Sequence, residues 1–297
     1  MKHGVSRWLP LIVLLGVAGC GSQAQQSPGA SLLTPTITPV FLLPAPLANP
    51  AGGPGRAASS ATPSALAVAP GVTVTSAVPI LMYHQIKDLP ANASADDLTW
   101  TVSPKSLDAQ LGFLAENGYA TISLDQLLDG LAGRATLPPK AVVLTFDDGW
   151  KTQYINALPL LKQRKQTATF YVVSSYIGYS AYFSWAMVQE IQESGMTIAG
   201  HTVDHASLTG LSLAQVEREL RDSKTALEQK LGLTVAHFAY PNGAYNDAVV
   251  EAVKHAGYRS ATTINPLSVK NPVSPYLLPR LRVSYQATLA DFAKKLP

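Results

Sequence analysis

From Ala77 onward, short apolar runs alternate with stretches of helical spacing. The apolar runs are Val78 to Tyr83 (VPILMY), Ala141 to Phe146 (AVVLTF), Ala168 to Val173 (ATFYVV), Met196 to Ala199, Val235 to Tyr240 and Tyr258 to Thr262. Between them, Ser103 before Pro104 marks a helix start, because serine caps and proline suits the first turn. Leu107, Leu111 and Leu114 then keep helical spacing, and Gly118 ends the element. The clearest helix runs from Leu213 to Leu231, capped by Ser212 and ended by Gly232. Pro159 in NALPLLKQR marks a further helix start or a kink. Strands alternating with helices predict an α/β fold with a parallel sheet that can close into a barrel. Barrels of parallel strands build their sites at the carboxyl ends of the strands, so residues just after a strand carry the chemistry.

The segment ahead of Ala77 is of another kind. Lys2 and Arg7 precede an apolar run from Leu9 to Val17, and Val17-Ala18-Gly19-Cys20 follows. That is the pattern of an export leader, with an apolar run too short to span a bilayer. Cys20 is the only cysteine, so no internal disulfide can form. VAGC resembles the lipobox of bacterial lipoproteins, in which the cysteine is lipidated; an ordinary secretory leader is the alternative. Residues 1–19 are thus read as a signal peptide, 20–76 as a lipid-anchored linker and 77–297 as the folded domain. Prolines recur from Gly21 to Ser76 among small residues, with Arg56 the only charge. Such a composition withholds backbone donors and buries little surface, which predicts a disordered tether. The formal charge of the whole chain is only +3 and no basic stripe is visible, which argues against nucleic acid as a partner. Deleting Gly21 to Ser76 is expected to leave the melting temperature unchanged; a large fall would show that the segment packs on the domain.

Three motifs follow strands. TFDDGW, Thr145 to Trp150, ends an apolar strand with two adjacent carboxylates. Consecutive residues of extended backbone point to opposite sides, so Asp147 and Asp148 need not share a task. HTVDH carries His201 and His205 four residues apart, a spacing that lets two imidazoles face one cation from a helical turn or a tight loop. Two histidines and one aspartate leave open metal positions for water and substrate, and a free carboxylate beside them suits a general base. FAYPNGAYN places proline and glycine around Asn242, a tight turn able to present a backbone N–H to an oxyanion. Each has a plainer alternative: turn aspartates, structural histidines, an ordinary loop.

In this order and spacing, TFDDG, HTVDH and YPNG resemble the polysaccharide deacetylases with a NodB homology domain, carbohydrate esterase family 4. PILMYHQI (Pro79 to Ile86) and LLPRLRV (Leu277 to Val283) are similar to the subset near the poly-N-acetylglucosamine deacetylases. The resemblance covers about Pro79 to Pro297 and implies a distorted (β/α) barrel and a metal-dependent hydrolase that removes acetyl groups from N-acetylglucosamine units. By position it implies Asp147 as general base and Asp148, His201 and His205 as metal ligands. Zinc is the first choice of metal, with Co2+, Ni2+ or Mn2+ as alternatives. Thr202 steadies the ligand loop, the Asn242 N–H contributes to the oxyanion hole, and Tyr240 and Pro241 support it.

The sequence also departs from that family. Where many members have R-x-P-Y-G, with the arginine steering the base, Ala239 stands here. Arg280 or Arg282 could substitute. The late Leu-x-His motif that supplies a general acid is missing, since no histidine follows His255. His237 and His255 read as structural or surface residues, which leaves His84 by elimination. Trp185 could stack on a sugar or be a buried aromatic at a helix start. The expected protein is an exported, membrane-anchored N-deacetylase of an N-acetylglucosamine polysaccharide of the envelope or exopolysaccharide; the alternative is a glycan-binding barrel without turnover.

Overall fold

The computed structural model describes residues 77–269 and 273–297. The leader, Cys20 and the tether read from the sequence lie outside the described residues. The strands are β1 (Ile80–Tyr83), β2 (Gln85–Ile86), β3 (Thr101–Val102), β4 (Ala120–Thr121), β5 (Ala141–Phe146), β6 (Thr169–Val172), β7 (Thr197–Gly200), β8 (His237–Ala239), β9 (Ser260–Thr262) and β10 (Leu281–Arg282). The helices are α1 (Ala95–Trp100), α2 (Pro104–Glu116), α3 (Leu124–Leu131), α4 (Leu158–Arg164), α5 (Trp185–Glu193), α6 (Leu213–Leu231), α7 (Asp247–His255) and α8 (Leu289–Ala293).

Eight strands form one sheet in the order β10-β1-β5-β6-β7-β8-β9, with β4 alongside the start of β5, and every pairing within it is parallel. The sheet curls. Leu278 bridges in parallel to Thr262 on β9, while Leu281 and Arg282 of the same segment pair with β1. One short stretch therefore touches both edges of the sheet and closes the distorted barrel.

Strand alternation divides the core in two. Ile80, Val143, Tyr171, Ala199 and Ala239 belong to one buried cluster, joined by Leu124 and Leu127 of α3. Their strand neighbours Leu81, Leu144, Phe170, Ile198 and Phe238 belong to the other, with Leu107, Leu111 and Leu114 of α2 and Val216, Leu220 and Leu227 of α6. Side chains of period two thus face either the barrel interior or the surrounding helices. Ala199 and Ala239 are small, which leaves interior volume for larger polar groups above them.

The helix signals act as read. Ser103 accepts the Ser106 N–H at 3.0 Å ahead of Pro104, and Asn117 and Gly118 (φ 73°) stop the helix. Ser212 forms a capping box with Gln215, and Gly232 closes α6 at φ 64°. Pro159 sits in the first turn of α4, directly after a π-helical turn at Gln153–Ala157. Among the described residues, no helix is long and apolar enough to cross a membrane.

Gly200, the last residue of β7, lies against Tyr258, whose hydroxyl donates to the Leu220 carbonyl of α6 at 3.2 Å. A Cβ at Gly200 would sit 2.6 Å from that hydroxyl oxygen. Gly200→Ala is expected to destabilise by about 1–3 kcal/mol through overpacking, read by denaturant unfolding; unchanged stability would show that Tyr258 yields freely.

Candidate active site

Asp147 follows β5 on the interior face, two residues beyond Thr145. The residue is 2% exposed and meets Arg280, itself 1% exposed. The guanidinium donates Nη1 to Oδ1 and Nη2 to Oδ2, both at 2.6 Å. It also donates Nη1 to Thr145 Oγ1 at 3.2 Å and Nε to the Thr263 carbonyl at 2.9 Å. The Tyr171 ring lies 5.4 Å away. Burial alone would raise the Asp147 carboxyl, but the Arg280 charge and its hydrogen bonds, with His84, hold it below the usual carboxylate value. Burial likewise disfavours a charged Arg280, and Asp147 outweighs it, raising the guanidinium further.

Asp148 turns away. Its φ of 74°, followed by φ 77° at Gly149, reverses the chain as soon as the strand ends. The two carboxylates diverge because of this left-handed turn rather than because extended backbone continues. Asp148 Oδ1 lies 3.4 Å from both His201 Nε2 and His205 Nε2. The histidines come from an irregular tight loop with φ 65° at Thr202 and φ 57° at His205, not from a helical turn. His201 Nδ1 lies 2.8 Å from the Ala239 carbonyl, a bond it can make only as the donor, so Nε2 of the neutral ring carries a lone pair. Among the described residues, Asp148 Oδ1 is buried without a hydrogen-bond partner. Three lone pairs thus converge within 4.8 Å of one another. Metal–ligand bonds of about 2.0–2.1 Å at tetrahedral angles put donors about 3.4 Å apart, so the set fits a divalent cation.

His84 stands level with Asp147, because Tyr83 and Phe146 are register partners on β1 and β5. Its Nε2 lies 3.8 Å from Asp147 Oδ2. Burial pulls the imidazole below its ordinary value, against the raising influence of both aspartates. Asp147, Asp148, His84, His201, His205, Tyr240, Asn242 and Arg280 line one cleft of about 300 Å3 at the carboxyl ends of the strands.

Residues 134–261 match the sequence model of the polysaccharide deacetylases. A putative polysaccharide deacetylase of Bacillus subtilis, YxkH, is 31% identical over 207 residues, covering 70% of this chain and 71% of that one. The chain belongs to the polysaccharide deacetylase family. Its family is one of hydrolases that remove acetyl groups from polysaccharides. The poly-β-1,6-N-acetyl-D-glucosamine N-deacetylase of Escherichia coli K12 is 25% identical over 73% of this chain, a match spanning 38% of that longer protein. Among solved structures, the Streptococcus pyogenes deacetylase PplD, in complex with acetate, superposes with a TM-score of 0.70 at 28% identity, over 75% of this chain and 99% of that one. IcaB from Ammonifex degensii gives 0.65 at 26%, over 74% and 96%.

The remaining sequence candidates divide between the cleft and the rest of the fold. Arg280 and Arg282 share a face but sit at different depths: Arg280 reaches the barrel interior, while exposed Arg282 lies 4.5 Å over the Trp100 ring. Trp185 is outside the cleft; it opens α5 half-buried, with Lys230 Nζ 5.9 Å over its ring, the helix-start packing of an aromatic rather than a sugar platform. The Thr202 hydroxyl has no hydrogen-bond partner among the described residues, so the loop is held instead by the Thr202 carbonyl, which accepts the Ser174 N–H at 3.2 Å. Tyr240 uses its hydroxyl on the Tyr276 carbonyl at 3.1 Å and packs its ring against Phe238 and Tyr245, lining the cleft from a buried position. Pro241 is buried in the turn at Pro241–Gly243, where Asn242 has φ 56°. His237 is buried against Ser260 Oγ at 2.9 Å, and His255 is exposed on α7.

The sequence reading missed four supports. Gln153, in the π-helical turn, donates Nε2 to the carbonyls of His84 (2.8 Å) and Asp147 (2.6 Å), tying the two strand ends together. Glu219 on α6 accepts the N–H groups of Val203 (2.8 Å) and Asp204 (3.2 Å) and clamps the histidine loop. Trp150 donates Nε1–H to Asp148 Oδ2 at 2.8 Å, leaving Oδ1 for the cation site. Trp100 lies 4.6 Å from the His84 ring and lines the cleft. Trp150 alone had a sequence signal, its place at the end of TFDDGW; the π-helical turn around Gln153, a geometry that recurs at functional sites, is not visible in sequence.

Arg280→Met leaves Asp147 buried and unpaired, an expected loss of about 3–5 kcal/mol at neutral pH. The folded pKa of Asp147 lies below its unfolded one, so the pair's contribution is complete above about pH 4 and is lost as pH falls through the folded value. Stabilities of wild type and variant should therefore converge in acid; a constant difference across pH would contradict the ion-pair account.

Proposed function

We propose that the chain is a metal-dependent N-deacetylase of N-acetylglucosamine polymers, acting outside the cytoplasm on envelope or exported polysaccharide. The observation that carries this reading is the division of labour at DDG: Asp147 is locked to Arg280, while Asp148 faces two imidazole nitrogens with an unpaired oxygen. Among candidate polymers, poly-β-1,6-N-acetylglucosamine is favoured over peptidoglycan and chitin. Curated relatives carrying that substrate in their names include the E. coli protein and one of Staphylococcus aureus that is 24% identical over 66% of this chain. The VAGC motif at Cys20 supports export and a lipid anchor.

Asp148, His201 and His205 would hold the cation, for which zinc suits the mixed nitrogen and oxygen donors. Such a cation supplies Lewis-acid polarisation of the acetyl carbonyl and acidifies water. Asp147, kept ionised by Arg280, takes a proton from the attacking water as its oxygen bonds to the carbonyl carbon. The Asn242 N–H, in a turn on the cleft wall, stabilises the oxyanion. An amine leaves poorly as an anion, so His84 protonates the nitrogen as the carbon–nitrogen bond breaks. Its Nε2 is 3.8 Å from Asp147 Oδ2, so the proton that Asp147 takes from water can pass to His84 and on to the amine. The products are acetate and a glucosamine unit.

Asp148→Ala, His201→Ala and His205→Ala are expected to lose bound metal and acetate release together. Asp147→Asn should keep its metal and lose turnover, since only proton transfer is removed. His84→Asn should keep metal and melting temperature, lower kcat by about 10²–10⁴-fold and remove the alkaline limb of kcat/KM. Metal analysis beside acetate assays separates the roles: if Asp147→Asn strips the metal, the assignment of the two aspartates is wrong, and if the alkaline limb survives in His84→Asn, the acid lies elsewhere.

A further inference from the structure

Trp150 leads out of the cleft into an aromatic loop. Residues 173–184, between β6 and α5, carry Tyr176, Tyr179 and Tyr182. An antiparallel bridge between Trp150 and Tyr182 pins this loop to the turn after DDG. Around it, Phe183 N–H donates to the Gly149 carbonyl and Lys151 N–H to the Ala181 carbonyl, both at 2.9 Å. The rings then run in series. Trp150 stacks on Tyr182 at 4.4 Å, Tyr182 meets Tyr176 at 4.7 Å, and Tyr176 stacks near Tyr179 at 6.2 Å. At one end Trp150 lines the cleft and binds Asp148. At the other, Tyr179 is 62% exposed and packs on no part of either core cluster.

A large aromatic held in water at the end of a fixed loop adds little to folding, and apolar surface continuous with a binding cleft marks ligand contact. We propose that Trp150, Tyr182, Tyr176 and Tyr179 form a platform for the pyranose units that flank the reacting residue, so that the protein favours long chains over short ones. This rests on the deacetylase reading and adds a binding direction to it. The ligand class follows from shape and chemistry. A pyranose ring presents an apolar C–H face with hydroxyls around its edge, and a tyrosine matches both with its ring and its phenol. The bridge to residues 149–151 fixes the loop in advance, which lowers the ordering cost of binding a flexible chain.

The test compares wild type, Tyr179→Ala, Tyr182→Ala and Tyr179→Phe on β-1,6-linked N-acetylglucosamine disaccharide and pentasaccharide. Acetate release gives kcat and KM, and tryptophan fluorescence titration with the pentasaccharide reads binding separately. Each alanine variant is expected to raise the KM for the pentasaccharide about threefold to tenfold, the scale of one lost aromatic contact, with a smaller effect on the disaccharide. Tyr179→Phe should recover most of the loss seen in Tyr179→Ala, because the ring does the stacking and the phenol adds only a contact at the sugar's edge. Equal effects on both lengths would mean that the tyrosines only brace Trp150 and Asp148, and would overturn the platform. Unchanged oligomer kinetics, with lost binding to phosphatidylglycerol vesicles, would assign the tyrosines to a membrane surface and overturn it as well. If wild type releases no acetate from either oligomer, the deacetylase reading fails, while the fluorescence titration still decides the platform.

Discussion

The buried ion pair between Asp147 and Arg280 ties the reaction centre to the closure of the barrel. Arg280 belongs to the segment that pairs with β9 through Leu278 and with β1 through Leu281, so its guanidinium enters the interior only when both sheet edges are in place. Burying two opposite charges is expensive, and a well-packed apolar pair would often be as stable. The pair therefore makes more sense as a device for reactivity than for stability. It keeps a fully enclosed carboxylate ionised and fixes both of its oxygens. An arginine missing from the residue before YPNG, where Ala239 stands, is supplied from the end of the chain instead.

The neighbouring aspartate depends on a different constraint, the left-handed backbone at residues 148 and 149. A non-glycine residue at positive φ is costly, and such strain persists only where surrounding bonds over-determine it. Trp150 supplies one such bond through Asp148 Oδ2, and the Phe183 N–H supplies another through the Gly149 carbonyl. Thr202, His205 and Asn242, all near the cleft, share this conformation. Four of the five non-glycine residues with positive φ among the described residues thus gather around one site. The exception, Lys165, ends α4.

Much of this was legible in the sequence, for physical reasons that differ from element to element. AVVLTF coincides with β5, and Leu213 to Leu231 coincides with α6, because burial on both faces and paired capping signals are local properties. The order of strand-end motifs placed Asp147, Asp148, His201 and His205 without any knowledge of the sheet. Arg280 was only one of two candidates, since depth inside a barrel depends on register with β1 and cannot be read from alternation alone. Gln153 and Glu219 act on other segments of the chain, and nothing in their local sequence announces them, whereas Trp150 reaches back two residues to Asp148 within TFDDGW. Trp185 shows the converse: its local context suits a sugar platform and helix-start packing equally, and only the placement of α5, which sets it against Lys230 and away from the cleft, decides for the second.

The central claim is that the lone pairs of Asp148, His201 and His205 bind a cation that activates hydrolysis of an N-acetyl group. The most direct measurement is acetate release from poly-β-1,6-N-acetylglucosamine by the purified chain, before chelation, after chelation and after zinc is returned. The account predicts acetate in the first state, none in the second and recovery in the third. Acetate release unaffected by removal of all bound metal would contradict it.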